Sequence, residues 1–367
     1  MKTWQQLKSH PQLFNRFFLR EKVLRAIREY FYQQQVHETE VPILAPALPA
    51  ESYLEVFETT LLTRLRKKYP AYLTTSPEMF LKKLLVAGVG NCYTLTRSFR
   101  NTEYMSQSHN SEFTILEWYR VDADYKHLMK DVEELFVFIH KEIQQNSNII
   151  PAEAGIHSNR SRIKPEMTLL YQNQAIDLSP PWERISMVEA FAKFARVDLL
   201  KILDEGGMRN IAMAKGYSIH NATWEELFNQ IFLNEVAAKF PQDRPIIIYD
   251  YPIQLAALAA KPKNSDPRFA QRFEIYIGDI ELADGCTELT DIKEQEKRFA
   301  KEKKKIRKQG NKLPTVDHEF IEALKLGLPN CAGIALGVDR LIMLLADVPQ
   351  IQDTLYFPAS QLWEDID

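Results

Sequence analysis

The stretch CYTLTRSFRNTEYMSQSHNSEFTILEWYRV, residues 92–121, sets the architecture that the sequence predicts. Within it and just beyond, residues 92–101 and 111–125 alternate polar side chains with side chains that favour burial, which predicts two β-strands. Strands joined by so short a connection pair antiparallel. They also carry Arg100 and Glu117. Charged residues on strands whose other side chains favour burial are typical either of a binding site or of structural ion pairs.

Helices and further strands are predicted on both sides of this pair. Apolar residues at helical spacing predict helices over residues 11–36 and 124–146, and residues 182–240 are predicted to be mostly helical. More strands are predicted within residues 36–44, 71–90, 244–252, 272–289 and 331–345, with a helix in the second half of 71–90 and a final helix at the end of 331–345. Because short connections without regular strand–helix–strand crossovers favour antiparallel pairing, the predicted fold class is α+β, with a mainly antiparallel sheet flanked by helices.

Two segments stand apart from this pattern. Pro42 closes the predicted strand of residues 36–44 and favours the edge of a sheet, because proline cannot donate to a central ladder. Residues 145–180 are polar and irregular, which predicts an excursion on the surface.

Composition narrows the class of protein. A chain of 367 residues with a net charge of −3 suits a globular protein, and it lacks the basic excess typical of a large nucleic-acid footprint. The three cysteines are far apart, as expected of reduced thiols in a cytoplasmic protein. The N-terminus does not resemble a signal peptide, and neither a dinucleotide-binding nor a P-loop glycine motif occurs.

Arginines and acids recur at predicted strand ends. Arg100 and Arg340 carry planar guanidinium groups that suit phosphates, although Arg100 could instead pair with Glu112 or Glu117. Glu281 and Glu288 suit Mg²⁺, which binds one or two carboxylates plus substrate phosphates, although an acidic surface hairpin is the alternative.

Other acids remain for a cationic ligand. Glu78, Glu117 and Tyr119 are candidates to receive an ammonium group, because a buried carboxylate is costly unless it is paired. Together with the arginines and the Mg²⁺ candidates, they predict activation of a cationic amino acid by ATP, in which positioning and charge stabilisation do most of the work.

Six segments resemble the class II aminoacyl-tRNA synthetases. EVPIL (40–44), FRNTE (99–103) and GIALGVDRLIMLL (333–345) are similar to the three signature motifs of that family. Its lysyl branch is resembled by TTSPEMFLKKLLVAG (74–88), HNSEFTILEWY (109–119) and ELADGCTELTD (281–291). The resemblance implies the class II catalytic fold, a homodimer formed through the first motif, lysine or β-lysine as substrate, and ATP with Mg²⁺.

The resemblance also implies residue roles. Arg100 and Arg340 would be catalytic, and Glu281 and Glu288 would hold Mg²⁺. The amino acid would be bound by Ser76, Pro77, Glu78, Glu117, Tyr119 and Glu288. The nucleotide would be bound by Arg100, Asn101, Thr102, Glu103, His109, Asn110, Glu281, Leu282, Gly337 and Arg340. One departure concerns adenine: Thr102 stands where the family carries an acid, and Glu103 follows one position later.

Stand-alone catalytic domains of this branch include the ligases that join β-lysine to a lysine side chain of elongation factor P. The resemblance implies such a domain over residues 1–367, because the catalytic helix begins too early to leave room for an anticodon-binding OB domain. The acceptor would then be elongation factor P, with tRNA unlikely. A truncated lysyl-tRNA synthetase and an inactive paralogue that acts as a binding protein are the alternatives. The basic run of residues 297–312 is either a solvated helix face or a surface that attracts an acidic acceptor or tRNA.

Overall fold

An eight-stranded sheet forms the centre of the computed structural model, which describes residues 2–52, 54–102, 106–145, 167–263, 265–310 and 313–363. Its strands, in their order across the sheet, are β1 (His37–Glu38), β5 (Cys92–Phe99), β6 (Glu112–Val121), β13 (Cys331–Gly337), β12 (Ile280–Thr287), β11 (Phe269–Ile277), β10 (Pro245–Pro252) and β9 (Glu183–Ser186). The two outermost pairs, β1 with β5 and β9 with β10, are parallel, and the central pairs are antiparallel. The predicted α+β class with a mainly antiparallel sheet is confirmed.

Smaller sheets and the helices surround this sheet. One small sheet pairs β4 (Lys68–Leu73) with β2 (Leu44–Ala45) and β3 (Glu58–Leu62), and a hairpin pairs β7 (Thr168–Tyr171) with β8 (Gln174–Asp177). The α-helices are α1 (Thr3–Ser9), α2 (Phe14–Gln33), α3 (Glu78–Val86), α4 (Tyr125–Gln145), α5 (Met187–Ala190), α6 (Glu205–Ala214), α7 (Trp224–Ile231), α8 (Ile292–Lys308), α9 (His318–Gly327), α10 (Val338–Leu345) and α11 (Ala359–Leu362). Among the described residues, no helix combines the length and the apolar character that crossing a membrane requires.

One face of the main sheet is buried under α2 and α4. Leu116 and Trp118, alternate residues of β6, point into this core, and Phe31 of α2 packs against the Trp118 ring with centroids 5.5 Å apart. Burying each large apolar side chain contributes about 1.5–3 kcal/mol. This layer therefore fixes which face of β6 its other residues occupy.

The opposite face is covered at both ends and leaves the middle strands for polar residues. Ile246 and Ile248 of β10 pack under the helical segment 187–240. At the other end, Tyr119 packs with Met79 of α3 and Phe320 of α9. The central strands β6, β13 and β12 lie between these two apolar clusters.

The structure modifies three sequence predictions. The strand predicted over 36–44 is divided into β1 and β2, with Pro42 between them, although its edge position is confirmed. The first helix is shorter than 11–36. Of the excursion predicted over 145–180, residues 146–166 lie outside the described residues, and the β7–β8 hairpin buries Ile176 against the main core. The sequence analysis missed this hairpin because its short apolar alternation lies within a mostly polar segment.

Candidate active site

Two rows of residues cross the middle of the sheet on its polar face. In the first row, Ala335 lies opposite both Glu117 and Asp284. In the second row, Gly333 lies opposite both Tyr119 and Cys286. Residues opposite each other on neighbouring strands project from the same face, so these side chains share one surface. The alternation predicted for β6 thus places Glu117 and Tyr119 together on the face away from α2 and α4.

Glycine at position 333 makes room for this surface. A Cβ atom there would lie 2.2 Å from the Tyr119 ring and 2.6 Å from Oε1 of Glu288. These two side chains therefore lie directly over the backbone of β13, and no larger residue fits without displacing them.

The first turn of α3 brings Ser76, Pro77 and Glu78 to the same place. The Ser76 hydroxyl donates to Glu117 at 2.7 Å, and its oxygen accepts from the backbone N–H of Glu78 at 3.0 Å. Pro77 precedes the helix and is buried. The predicted amino-acid site residues of α3 and β6 are thus brought together.

Lys82 completes the cluster, and the sequence prediction missed it. The residue is 1% exposed, and its ammonium group pairs with Glu78 and lies 2.5 Å from Oε2 of Glu288. Burial alone would lower the pKa of Lys82, but the charges of Glu288 and Glu78 outweigh burial and raise it. Of the carboxylates predicted to bind the amino acid, Glu78 and Glu288 thus already face a lysine of the chain. The four-residue spacing of Glu78 and Lys82 on a helix was the available signal.

Glu117 is the carboxylate of this cluster that Lys82 does not contact directly. Burial, and then the charge of Glu78, raise the pKa of Glu117 to about 8, while the Ser76 hydrogen bond and the charges of Lys82 and Arg100 oppose that shift. A ligand ammonium beside Glu117 would favour the ionised carboxylate. Three carboxylates, one lysine and Tyr119 thus lie together in one charged pocket on the polar face of the sheet.

Arg100 follows β5 at the rim of this pocket. Its guanidinium lies 5.2 Å from the centroid of the Phe113 ring, and its backbone N–H donates to the carbonyl of Ser111 at 2.9 Å. Its charge reaches Glu117, whose pKa it lowers. The ion pair of Glu112 is made by Arg97, at 3.6 Å.

Arg340 lies in the first turn of α10 and joins the loop before β6 to the start of β12. It donates to the carbonyl oxygens of Ser108 (3.2 Å) and Glu281 (2.7 Å), and it lies 2.8 Å from Nε2 of His109. The preceding Asp339 is buried and accepts from the backbone N–H of Thr114 at 2.7 Å. The motif around Arg340 is therefore anchored to β6, and its guanidinium is brought together with His109 and Glu281.

A β-bulge turns Glu281 towards the polar face. Ile275 lies opposite Ala283, but the next residue, Tyr276, lies opposite Glu281, so one residue of β12 is skipped. Such an extra residue re-aims the side chains beyond it. Glu281 therefore lies near Glu274 of β11, whose pKa is raised to about 7 by burial and by nearby carboxylates, against the lowering effect of Arg272.

The structure does not bring the two predicted Mg²⁺ ligands together. Glu281 lies at the start of β12 and Glu288 follows its end, so seven residues of extended chain place them roughly 20 Å apart. Glu288 lies instead in the charged pocket, beside Lys82. Within the described ranges, no three His, Cys, Asp or Glu side chains are grouped as a metal site.

The remaining predicted nucleotide residues lie around Arg340 and Arg100. A Cβ on Gly337 would be 3.6 Å from Cδ of Arg340 and 3.8 Å from the carbonyl oxygen of Leu282, whose own side chain is in the core. Asn110 is buried; its side-chain amide donates to the carbonyl of Glu112 and accepts from the backbone N–H of Ala359. Asn101 and Thr102 are exposed, and Thr102 has a φ of 58°, which is uncommon for a residue other than glycine. Glu103 lies outside the described residues.

A mainly antiparallel sheet flanked by helices, with Arg100 and Arg340 near its strand ends, is the architecture that the resemblance to the class II synthetases implied. The family model of the class II tRNA synthetases (D, K and N) matches residues 2–361, and the chain belongs to this family. Among similar proteins is the elongation factor P–(R)-β-lysine ligase of Hamiltonella defensa subsp. Acyrthosiphon pisum (strain 5AT), which is 34% identical over 93% of this chain and 94% of its own. The proteins of the same name from Avibacterium paragallinarum (34%, over 92% and 93% of the two chains) and Salmonella arizonae (strain ATCC BAA-731 / CDC346-86 / RSK2980; 33%, over 98% of both) are also similar.

Proposed function

We propose that this protein activates (R)-β-lysine, or lysine, with ATP and transfers it to a lysine side chain of elongation factor P. The observation that carries the proposal is the charged pocket in which Glu78 and Glu288 pair with an internal lysine and Glu117 accepts from Ser76, with the charge of Arg100 near Glu117. Such a pocket suits an amino acid with two ammonium groups. The names of the three similar ligases supply the acceptor.

The reaction has two steps. An oxygen of the amino-acid carboxylate attacks the α-phosphorus of ATP, and pyrophosphate leaves to give the aminoacyl-adenylate. The uncharged amine of the acceptor lysine then attacks the carbonyl carbon and an amide bond forms. AMP leaves with the electron pair of the broken bond, and the nitrogen gives up one proton to the solvent. Arg100 would stabilise charge at the α-phosphate and Arg340 at the leaving pyrophosphate. Neither step needs a covalent nucleophile from the protein.

The carboxylates of Glu274, Glu281 and Asp284 lie close together, and one or two of them would suit a magnesium ion bound with ATP. Glu281 and Asp284 both add to the negative charge that raises the pKa of Glu274, and Arg272 balances part of it. Mg²⁺ favours one or two carboxylates together with substrate phosphates. Glu281 would therefore hold the ion, which supplies charge neutralisation at the phosphates, and Glu288 would serve the amino acid.

Transfer of label tests this proposal. Radiolabelled (R)-β-lysine or α-lysine is incubated with the protein, ATP and Mg²⁺, and either elongation factor P or tRNA is offered as the acceptor. We expect label on the acceptor protein. Label on tRNA alone would establish the truncated lysyl-tRNA synthetase instead, and the absence of adenylate formation with either isomer would favour the inactive paralogue.

A pH dependence of amino-acid binding follows from Glu117. Because its pKa is raised to about 8, the free protein holds a proton there at neutral pH, and an incoming ammonium group must displace it. We expect the affinity for lysine to rise by up to about tenfold per pH unit between pH 6 and 8, and then to level. Calorimetry at a series of pH values measures this.

The variant Glu117→Gln is the control for that titration. Burial also raises the pKa of Glu288 to about 7, against the charge of Lys82, so a second group titrates nearby. If the pH dependence survives unchanged in Glu117→Gln, the proton belongs to another group and the assignment to Glu117 is wrong.

The basic face of α8 is proposed to attract the acceptor. Lys297, Lys301 and Lys304 are exposed and share one side of the helix. The helix begins four residues after Glu288. Ala259 forms a β-bridge with Glu288, and Arg298 of the helix donates to the carbonyl of Ala259 at 2.8 Å. The face therefore starts beside the pocket.

Removing this charge should weaken acceptor use without affecting activation. For the triple variant Lys297→Gln/Lys301→Gln/Lys304→Gln we expect the KM for elongation factor P to rise about tenfold at low salt, and the difference to shrink as salt is added. The matched control replaces the exposed Lys126, Lys130 and Lys141 of α4 by Gln. An unchanged KM for the acceptor in the α8 variant would show that these lysines form a solvated helix face and do not attract the acceptor.

Three further expectations remain predictions. Dimerisation through the first motif would cover the half-exposed side chains of Ile43 and Leu44. A cytoplasmic location would place the protein beside its proposed acceptor. A single catalytic domain without an anticodon-binding unit would accord with a protein acceptor.

A further inference from the structure

Lys82 has a place in the pocket that the proposed reaction does not by itself explain. It lies on the second turn of α3, its ammonium is almost completely buried, and it joins Glu78 of the same helix to Glu288 beyond β12. Cys286 of β12 and the Phe320 ring of α9, whose centroid is 5.9 Å from Nζ, lie on its other sides. A buried ammonium is costly, and this one persists because two carboxylates face it.

The charges of the pocket can be counted from these contacts. Glu78, Glu117 and Glu288 supply three negative charges when ionised, and Lys82 returns one positive charge, which leaves two negative charges to be balanced. A diamino acid brings two ammonium groups to these charges, and its carboxylate is the group that reacts with ATP. Without Lys82, Glu78 and Glu288 would repel each other, and the pocket would carry one negative charge more than such a ligand can balance.

We infer that Lys82 is a positioning residue that ties Glu78 to Glu288 and sets the charge of the pocket to match a diamino acid. The inference rests on the proposed function for the amino acid only. Activation is measured without any acceptor, so failure of label transfer to elongation factor P would overturn the proposed function and leave this inference standing.

Replacement of Lys82 tests the inference. For Lys82→Ala we expect kcat/KM for lysine in ATP–pyrophosphate exchange to fall about a hundredfold, because one partner of a buried charge pair is lost, while the KM for ATP changes by less than about threefold. Ethylammonium, which can fill the vacated space between the two carboxylates, should restore activity with saturation. The neighbouring Lys83→Ala is the matched control, because Lys83 makes an ion pair with Asp317 at 2.8 Å, away from the pocket.

Unchanged use of lysine by Lys82→Ala would overturn the inference, and so would equal losses for lysine and ATP with no response to ethylammonium. A second measurement uses the unaltered protein and holds even if the variant does not fold. The ¹⁵Nζ signal of Lys82, assigned with Lys82→Arg, should shift when lysine is added and stay in place when ATP alone is added. A signal that is indifferent to lysine contradicts the role.

Discussion

Replacing Arg340 by alanine is expected to reduce ATP–pyrophosphate exchange by about a thousandfold, the loss typical of removing a preorganised group that stabilises charge in the transition state. The guanidinium is fixed by the carbonyls of Ser108 and Glu281 and by His109, so it needs little rearrangement to meet phosphates. Exchange measured with saturating lysine and varied ATP tests this. Most of the loss should fall on kcat.

Two variants show whether charge or geometry is responsible. Arg340→Lys keeps the charge but cannot reproduce three directed contacts, and we expect it to recover only a small part of the activity. Arg25→Ala removes an exposed arginine that pairs only along its own helix, with Glu21 at 2.8 Å, and should leave exchange unchanged. Full activity in Arg340→Ala, with an unaltered thermal transition, would show that Arg340 does not bind the phosphates.

Elements with strong local patterns were predictable from the sequence. The alternation in β6 follows from its buried neighbours, since Leu116 and Trp118 must face the α2–α4 core and thereby turn Glu117 and Tyr119 to the other face. The α+β class followed from the short connections between strands. The family resemblance placed Ser76, Glu78 and Glu117 in one site, and in the structure Ser76 is hydrogen-bonded to both acidic residues.

Features that depend on contacts between distant segments were not predictable in this way. The bulge at Glu281 exists because β11 and β12 slip by one residue, and the alternation of β12 alone does not reveal it. Glu288 lies seven positions after Glu281, a spacing that suggested one acidic site, whereas an extended strand carries the two residues apart. The sequence does not distinguish Lys82 from an ordinary helix lysine, because its partner Glu288 comes from a distant part of the chain.

Replacing Gly333 by alanine is expected to abolish most use of lysine while sparing ATP. The added methyl group would lie 2.2 Å from the Tyr119 ring and 2.6 Å from Oε1 of Glu288, and both belong to the amino-acid pocket. Displacing Glu288 would also break its contact with Lys82, so we expect the KM for lysine to rise about a hundredfold or more. Overpacking of this kind costs about 1–3 kcal/mol of stability, which lowers Tm by a few degrees.

Gly285→Ala separates the pocket effect from the stability effect. Its methyl group would lie 2.6 Å from the Phe273 ring and 2.9 Å from Ile334, both in the core beneath the sheet, so it should lower Tm to a similar extent. Its KM for lysine should nevertheless stay near that of the unaltered protein in the fraction that remains folded. If Gly333→Ala bound lysine normally, the surface formed by Tyr119 and Glu288 would not be the amino-acid site, because no ligand could contact those side chains and be indifferent to their displacement.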